Sequence, residues 1–202
     1  MVPARILILF VIPLFVSPAL SAQMERPPSQ LTPSTRGGMW VGVGIGAGSS
    51  LVSCAICREE RQGGPSGYIK IGGTLRPALL IGAEGTVWVH GGDELDQYLG
   101  ALTVASYLYP RAGSGFFVKG GLSGLRYVAS EDGAEEDEDA TATTLGLNLG
   151  VGYEFRVRPG YSLVPFLNLV ASSFGSLSQG GERLAGDLNV TLIQFGLGMT
   201  GH

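Results

Sequence analysis

The chain has 202 residues, of which 33 are glycine and 11 are proline, only 15% are charged, and the net charge is −4. This length suffices for one domain with a sizeable core. Abundant glycine beside 45% hydrophobic residues, without a collagen repeat, argues against a disordered chain. The composition also lacks the basic face that nucleic-acid binding requires, so we expect no nucleic-acid partner.

The first 22 residues have the parts of a cleavable secretory signal. Arg5 supplies the positive charge, residues 6–16 form an apolar run, and small residues lead up to Ala22. The apolar run is shorter than the ~20 residues that span a bilayer, which disfavours a membrane anchor. Residues 23–37 are polar and rich in proline, and we interpret them as a flexible periplasmic leader.

Apolar and polar residues alternate in eight stretches of the remaining chain, residues 38–202. A two-residue period indicates a strand with one apolar face. In the sixth stretch, Leu145, Leu147 and Leu149 alternate with Gly146 and Asn148. The eight predicted strands are 39–48, 67–75, 79–90, 98–109, 116–127, 144–155, 161–171 and 188–200.

The predicted connections alternate between long and short along the chain. The long ones are 49–66, 91–96, 128–143 and 174–186, and the short ones are 76–78, 110–115 and 156–160. Tight turns at one end and longer loops at the other are typical of an up-and-down membrane barrel, with the turns on the periplasmic side. No apolar stretch after the signal reaches 18 residues, so a membrane helix is not expected.

The polar face of the predicted strands distinguishes a membrane barrel from a soluble sandwich or a lipocalin-like barrel. Glycine, serine, threonine and asparagine dominate this face, whereas a solvated face usually carries many lysines and glutamates. The aromatic residues Tyr153, Phe155 and Tyr161 stand at apolar strand ends, as in an interfacial girdle. We therefore predict an all-β, up-and-down antiparallel transmembrane β-barrel of eight strands with its apolar face towards lipid.

At this level of detail the chain resembles the small eight-stranded outer-membrane β-barrels of the OmpA and OmpX kind. The resemblance covers residues 38–202. The segments that carry it are GGTLRP at 72–77, FFVKGGL at 116–122, GVGYEF at 150–155 and FGLGM at 195–199. It implies a cell outer-membrane location, contact with membrane lipid and lipopolysaccharide, assembly by the barrel insertion machinery, and a monomeric state.

Four charged residues occupy strand positions whose side chains should point into the barrel. A three-residue turn at 76–78 would place Lys70 directly opposite Glu84, and Lys119 and Glu154 would form a second ion pair nearer the periplasm. Charges in a narrow lumen are costly unless they are paired. We therefore expect a closed, side-chain-filled lumen.

The sixth and seventh predicted strands form a hairpin with a five-residue turn, 156–160. This register places Phe155 opposite Tyr161 on the lipid side. It places Asn148 opposite Asn168 in the lumen as a polar pair.

Two features lie in the long connections. Cys54 and Cys57 are expected to form a local disulfide in an oxidising compartment, the alternatives being a redox pair or a metal site with His90. An acidic run in the third long connection is a solvated segment or a possible cation-binding loop. Its carboxylates are Glu131, Asp132, Glu135, Glu136, Asp137, Glu138 and Asp139.

Signals for catalysis are weak. The glycines of residues 42–47 fit a loose dinucleotide motif, but they form the inward half of a strand, so no cofactor and no metal is expected. After the signal, the only histidines are His90 and His202, and neither has a matching serine and acid on the lipid face. We predict a non-catalytic barrel that serves the envelope or cell surface through its loops. A narrow channel for small solutes is the alternative, followed by a lipid-A-modifying enzyme.

Overall fold

The computed structural model describes residues 36–54, 60–92, 95–111, 113–131, 140–179 and 182–202. The strands are β1 (Met39–Ser53), β2 (Arg61–Arg76), β3 (Leu79–His90), β4 (Leu95–Leu108), β5 (Phe116–Glu131), β6 (Ala140–Tyr153), β7 (Phe155–Arg158), β8 (Tyr161–Gln179) and β9 (Glu182–Gly201). The predicted signal, residues 1–22, and nearly all of the predicted leader lie outside the described residues.

The strands close into an antiparallel barrel. Strands that follow each other in the chain pair, except β6 and β7, and β1 pairs with β9 to close the ring. Segments β6 and β7 are separated only by Glu154, and both pair with β8, so nine segments make an eight-strand ring. The predicted fold class is confirmed. We call the end with the β2–β3, β4–β5 and β7–β8 connections the turn end, and the opposite end the outer end.

The strands run further towards the outer end than the sequence pattern predicts. β8 has 19 residues and β9 has 20, whereas ~9 to 11 suffice to cross the membrane. β1 and β2 likewise continue through much of the predicted loop 49–66. Beyond the bilayer, the outer face of a strand meets water, so the apolar alternation fades although the backbone pairing continues.

The turn between the sixth and seventh predicted strands is tighter than predicted. β7 continues the chain to Arg158, which pairs with Tyr161, so only Pro159 and Gly160 form the turn. Gly160 has a φ of 78°, which fits the Pro-Gly order of a type II turn.

The tight turn and a bulge in β7 shift the register by two residues. Phe155 pairs with Leu163 instead of Tyr161, and Asn168 pairs with Gly150 instead of Asn148. A five-residue turn and the predicted asparagine pairing are therefore wrong. Both asparagines remain buried on the inner face.

The outer face of the barrel is an apolar belt. Large hydrophobic side chains are exposed on every strand of the ring, among them Ile45 (77%), Leu102 (68%), Leu122 (71%), Leu145 (78%) and Phe195 (61%). A water-soluble monomer rarely exposes so large a contiguous apolar surface. The belt meets lipid, while each backbone group of a closed barrel is satisfied within the sheet. No helix in the described part of the chain is long and apolar enough to cross a membrane.

The inner face changes character along the barrel axis. A mainly apolar cluster lies in the outer part of the lumen, a polar and charged layer follows, and an aromatic cluster lies towards the turn end. The outer cluster includes Trp88, Leu99, Leu125, Leu188 and Leu192, each 2% exposed or less. Towards the outer end, apolar side chains therefore pack inside the barrel, as in the core of a soluble protein. In the membrane-spanning part, large apolar side chains also cover the outside of the barrel and face lipid.

Candidate functional site: the lumen and its turn-end mouth

Glu84 on β3 is the centre of the polar layer. Lys119 Nζ lies 2.6 Å from Glu84 Oε1, and the two side chains are each 2% exposed. Tyr107 donates a hydrogen bond to Glu84 Oε2 at 2.8 Å, and the Asn148 amide donates to Oε1 at 3.3 Å. Thr86 adds a longer contact of 3.4 Å. This carboxylate therefore connects side chains from β3, β4, β5 and β6.

Lys70 pairs with Glu84 in the β2–β3 register, yet its ammonium group is held by aromatic rings. Lys70 Nζ lies 5.0 to 5.7 Å from four ring centroids, those of Tyr107, Tyr68, Phe117 and Trp40. Within the described residues it has no carboxylate at ion-pair distance. Ring faces attract a cation within ~6 Å, and this attraction strengthens when water is excluded.

The predicted ion pairs are corrected by this geometry. Glu84 binds Lys119 instead of Lys70, and Glu154 binds Arg36 instead of Lys119. The prediction counted residues along adjacent strands only. In a closed, narrow barrel, the wall curves so strongly that inward side chains of β3 and β5 meet across β4.

Several buried polar atoms of the lumen have no hydrogen-bond partner among the described residues. They belong chiefly to β1, β2 and β9 and include Trp40 Nε1, Tyr68 OH, Thr200 Oγ1 and both amide atoms of Gln194. Buried groups of this kind are usually satisfied by ordered water. On the β3–β6 side of the lumen, the polar side chains form hydrogen bonds with one another. On the side of β1, β2 and β9, the buried polar atoms would be satisfied by isolated water molecules.

The turn-end mouth is closed by four residues that lie outside the strands. Glu154 separates β6 from β7, Arg36 precedes β1, Tyr109 follows β4 and His202 follows β9. Arg36 Nε donates to Glu154 Oε2 at 3.0 Å, and Tyr109 donates to Oε1 at 2.6 Å. His202 Nε2 lies 3.4 Å from Oε1. One carboxylate therefore ties together the two chain segments that flank the β1–β9 seam.

Arg36 is the residue that seals this mouth. It is only 5% exposed, its guanidinium lies 3.6 Å from the centre of the Tyr109 ring, and Nη2 donates to the Ser114 carbonyl at 2.6 Å. Arg36 was predicted to lie in a flexible leader, and its contacts with Tyr109 and Glu154 were not predicted from the sequence. The sequence did contain a signal for the contact with Glu154. An inward carboxylate at position 154 needs a cation beside it, and Arg36, just before β1, is an alternative to Lys119.

The pKa of Glu154 is set by two opposing influences. Burial raises the pKa, but the hydrogen bonds from His202 and Tyr109 and the charges of Arg36 and His202 outweigh it and lower the pKa to about 2. A carboxyl group whose pKa is lower in the folded state stabilises the fold above its unfolded pKa. This contribution is lost as pH falls through the folded value.

We expect Glu154→Gln to remove a pH-dependent part of the stability. The difference in unfolding free energy between wild type and variant should be largest at neutral pH, at roughly 3 kcal/mol. It should shrink as the pH falls from about 4.5 to about 2. Urea unfolding of the barrel in lipid vesicles at a series of pH values measures this. A difference that stays constant across the range would contradict the assigned role of the carboxylate.

Two predicted features lie at the outer end. Cys54 follows β1, but Cys57 lies outside the described residues, so the disulfide remains a prediction. Glu131 ends β5, whereas residues 132–139 lie outside the described part, so cation binding by Asp132, Glu135, Glu136, Asp137, Glu138 and Asp139 also remains untested. In the described ranges, no group of three potential metal-ligand side chains is close enough to hold an ion.

Among the described residues, His90 has no hydrogen bond to a serine or to an acidic side chain. Its Nδ1 lies 2.7 Å from the Gly63 carbonyl oxygen, and its ring stacks on Trp88 with centroids 6.1 Å apart. These contacts anchor the outer end of β3 to β2. They give the imidazole a structural role at this end of β3.

Comparisons with known proteins support the fold. No family model matches the chain, and no curated protein matches it. Solved structures do match. Neisserial surface protein A is 15% identical with a TM-score of 0.55, over 81% of this chain and 96% of that one. The outer membrane protein AlkL in lipid bilayers is 9% identical with a TM-score of 0.50, over 88% and 96%. OprG of Pseudomonas aeruginosa is 12% identical with a TM-score of 0.49, over 84% and 99%.

Proposed function

We propose that this protein has a non-catalytic role at the cell surface. Its fold is that of the small outer-membrane β-barrels, and it is located in the cell outer membrane. The barrel is closed and side-chain-filled, and its outer strand extensions and loops carry the function. The observation that supports this proposal is the apolar cluster in the outer part of the lumen. Water does not enter a space filled by leucine, valine and tryptophan side chains without losing hydrogen bonds.

Single-channel recording in planar bilayers tests the closed lumen. We expect the purified protein to give no steady current above leak. A variant with Trp88→Ala, Leu125→Ala and Leu192→Ala is the matched control, because these buried residues belong to the apolar cluster. Its conductance should rise if the cluster closes the lumen. Large, steady currents from the unchanged protein would contradict the proposal.

The surface role is tested by trimming the outer connections. Short Gly-Ser turns would replace residues 54–60 and 132–139, which lie beyond the paired strands. We expect a deletion strain to show an envelope defect, and we expect the trimmed barrel to fold and to stay closed but to fail to correct that defect. Full restoration by the trimmed barrel would show that its outer loops are dispensable.

A narrow channel is the second candidate. It is favoured by the unpartnered polar atoms along β1, β2 and β9, which would suit a file of waters. Liposome swelling with small solutes distinguishes the two functions. Measurable uptake of a solute larger than water by the unchanged protein would favour the channel.

A further inference from the structure

The acidic side chains of the barrel are concentrated at its outer end, whereas arginines occur at both ends, with Arg61, Arg126 and Arg183 in the outer part. Exposed arginines occur at all three turns: Arg76 before the β2–β3 turn, Arg111 in the β4–β5 turn, and Arg156 and Arg158 before the β7–β8 turn. Among the described residues, the turn end has one acidic side chain, Glu154, which is buried. The other described acidic residues outside the lumen belong to the outer end, namely Glu60, Asp96, Glu131, Glu182 and Asp187.

The arginines stand where the apolar belt ends. Tyr153, Phe155 and Tyr161 are 40%, 52% and 53% exposed, and the first two rings contact each other with centroids 4.5 Å apart. Exposed aromatic side chains of this kind mark the level of lipid headgroups. Arg156 and Arg158 follow Phe155 within three residues, so their backbone leaves the apolar belt at headgroup depth.

The arrangement indicates what the arginines bind. They are distributed over the three turns, which lie between different strand pairs around the barrel. A single soluble ligand or a protein partner would need a patch on one side. A ring of cations at one membrane level matches an annulus of headgroups, and guanidinium groups bind phosphate oxygens with paired hydrogen bonds.

We propose that Arg76, Arg111 and Arg158 form a rim that binds the phosphates of anionic phospholipids in the periplasmic leaflet. This rim would select phosphatidylglycerol over phosphatidylcholine around the turn end. It would also hold the turn end at headgroup depth, because the one acidic side chain described there, Glu154, is buried and does not oppose the arginines. Each arginine near an anionic surface contributes roughly a fivefold preference at moderate salt.

Native mass spectrometry of the full barrel, released from nanodiscs with equal phosphatidylglycerol and phosphatidylcholine, tests the rim. We expect the unchanged protein to retain phosphatidylglycerol at least tenfold in excess, and the variant R76Q/R111Q/R158Q to show nearly equal retention. The variant R58Q/R61Q/R183Q is the control, because it loses the same charge in or beside the outer connections. It should keep the preference of the unchanged protein.

Three outcomes would overturn the proposal. The first is an unchanged lipid preference in R76Q/R111Q/R158Q, and the second is an equal loss in the control variant, which would indicate a net-charge effect. The third is displacement of phosphatidylglycerol by millimolar inorganic phosphate, which would indicate a site for the free anion. Folding of each variant is checked beforehand by its unheated migration on a denaturing gel.

Discussion

Replacing Glu84 by alanine is expected to lower the unfolding free energy of the barrel by about 3–5 kcal/mol. The physical reason is that Lys119, 2.6 Å from the carboxylate, would remain as an uncompensated buried charge. Tyr107 and Asn148 would lose an acceptor at the same time. Urea unfolding in lipid vesicles, followed by the fluorescence of the two lumenal tryptophans, gives this free energy.

A double-mutant cycle separates the two lysines near Glu84. Glu84→Ala together with Lys119→Met should cost clearly less than the sum of the single changes, because the pair is removed as a unit. Glu84→Ala together with Lys70→Met should show a smaller coupling, since Lys70 is held by rings 5.0 Å or more from its ammonium nitrogen. Equal coupling energies in the two cycles would contradict this assignment. They would show that Lys70, which is opposite Glu84 in the strand register, interacts with it as strongly as Lys119 does.

Replacing Gly46 by valine is expected to prevent closure of the β1–β9 seam in most molecules. Gly46 pairs with Gly196 across this seam, and a Cβ on Gly46 would overlap the Phe195 carbonyl oxygen and approach the Gly196 Cα to 2.7 Å. Overpacking usually costs about 1–3 kcal/mol, and here the obstructing atoms are backbone that cannot rotate away. We therefore expect a loss of at least 3 kcal/mol, seen as a low folded fraction by gel migration.

The matched control is Gly124→Val on β5, which introduces the same side chain. Apart from the adjoining residues of the chain, no heavy atom lies within 4 Å of a Cβ at this position, so the folded fraction should stay at the level of the unchanged protein. A Gly46→Val barrel that folds as efficiently as this control would show that the seam has more room than its backbone contacts indicate.

Much of the lumen was predictable because strand parity is a local property. Alternation alone assigned Lys70, Glu84, Lys119 and Asn168 to the inner face, and all four are 5% exposed or less. Parity depends only on the two-residue period of a strand, which a single sequence displays. The identity of each contact partner is not a local property and could not be obtained in this way.

The seventh predicted strand shows where local inference ends. Its parity is correct, but its register is displaced by two residues, because the turn at Pro159 and Gly160 is shorter than predicted and a bulge lies beside it. A shift of two residues keeps every side chain on its face. The hydrophobic pattern is therefore satisfied by either register, and the turn geometry decides between them.

The amino-acid sequence by itself determined the class of fold, the number of strands in the ring and the faces of the strands, since these follow from the period of its apolar residues. Only the tertiary structure decided that Glu84 binds Lys119 across β4, that four aromatic rings hold Lys70, and that Glu154 joins Arg36 to His202 at the seam. These contacts arise from the curvature and closure of the barrel, which bring residues from distant strands and from both ends of the ring to the same point in the lumen.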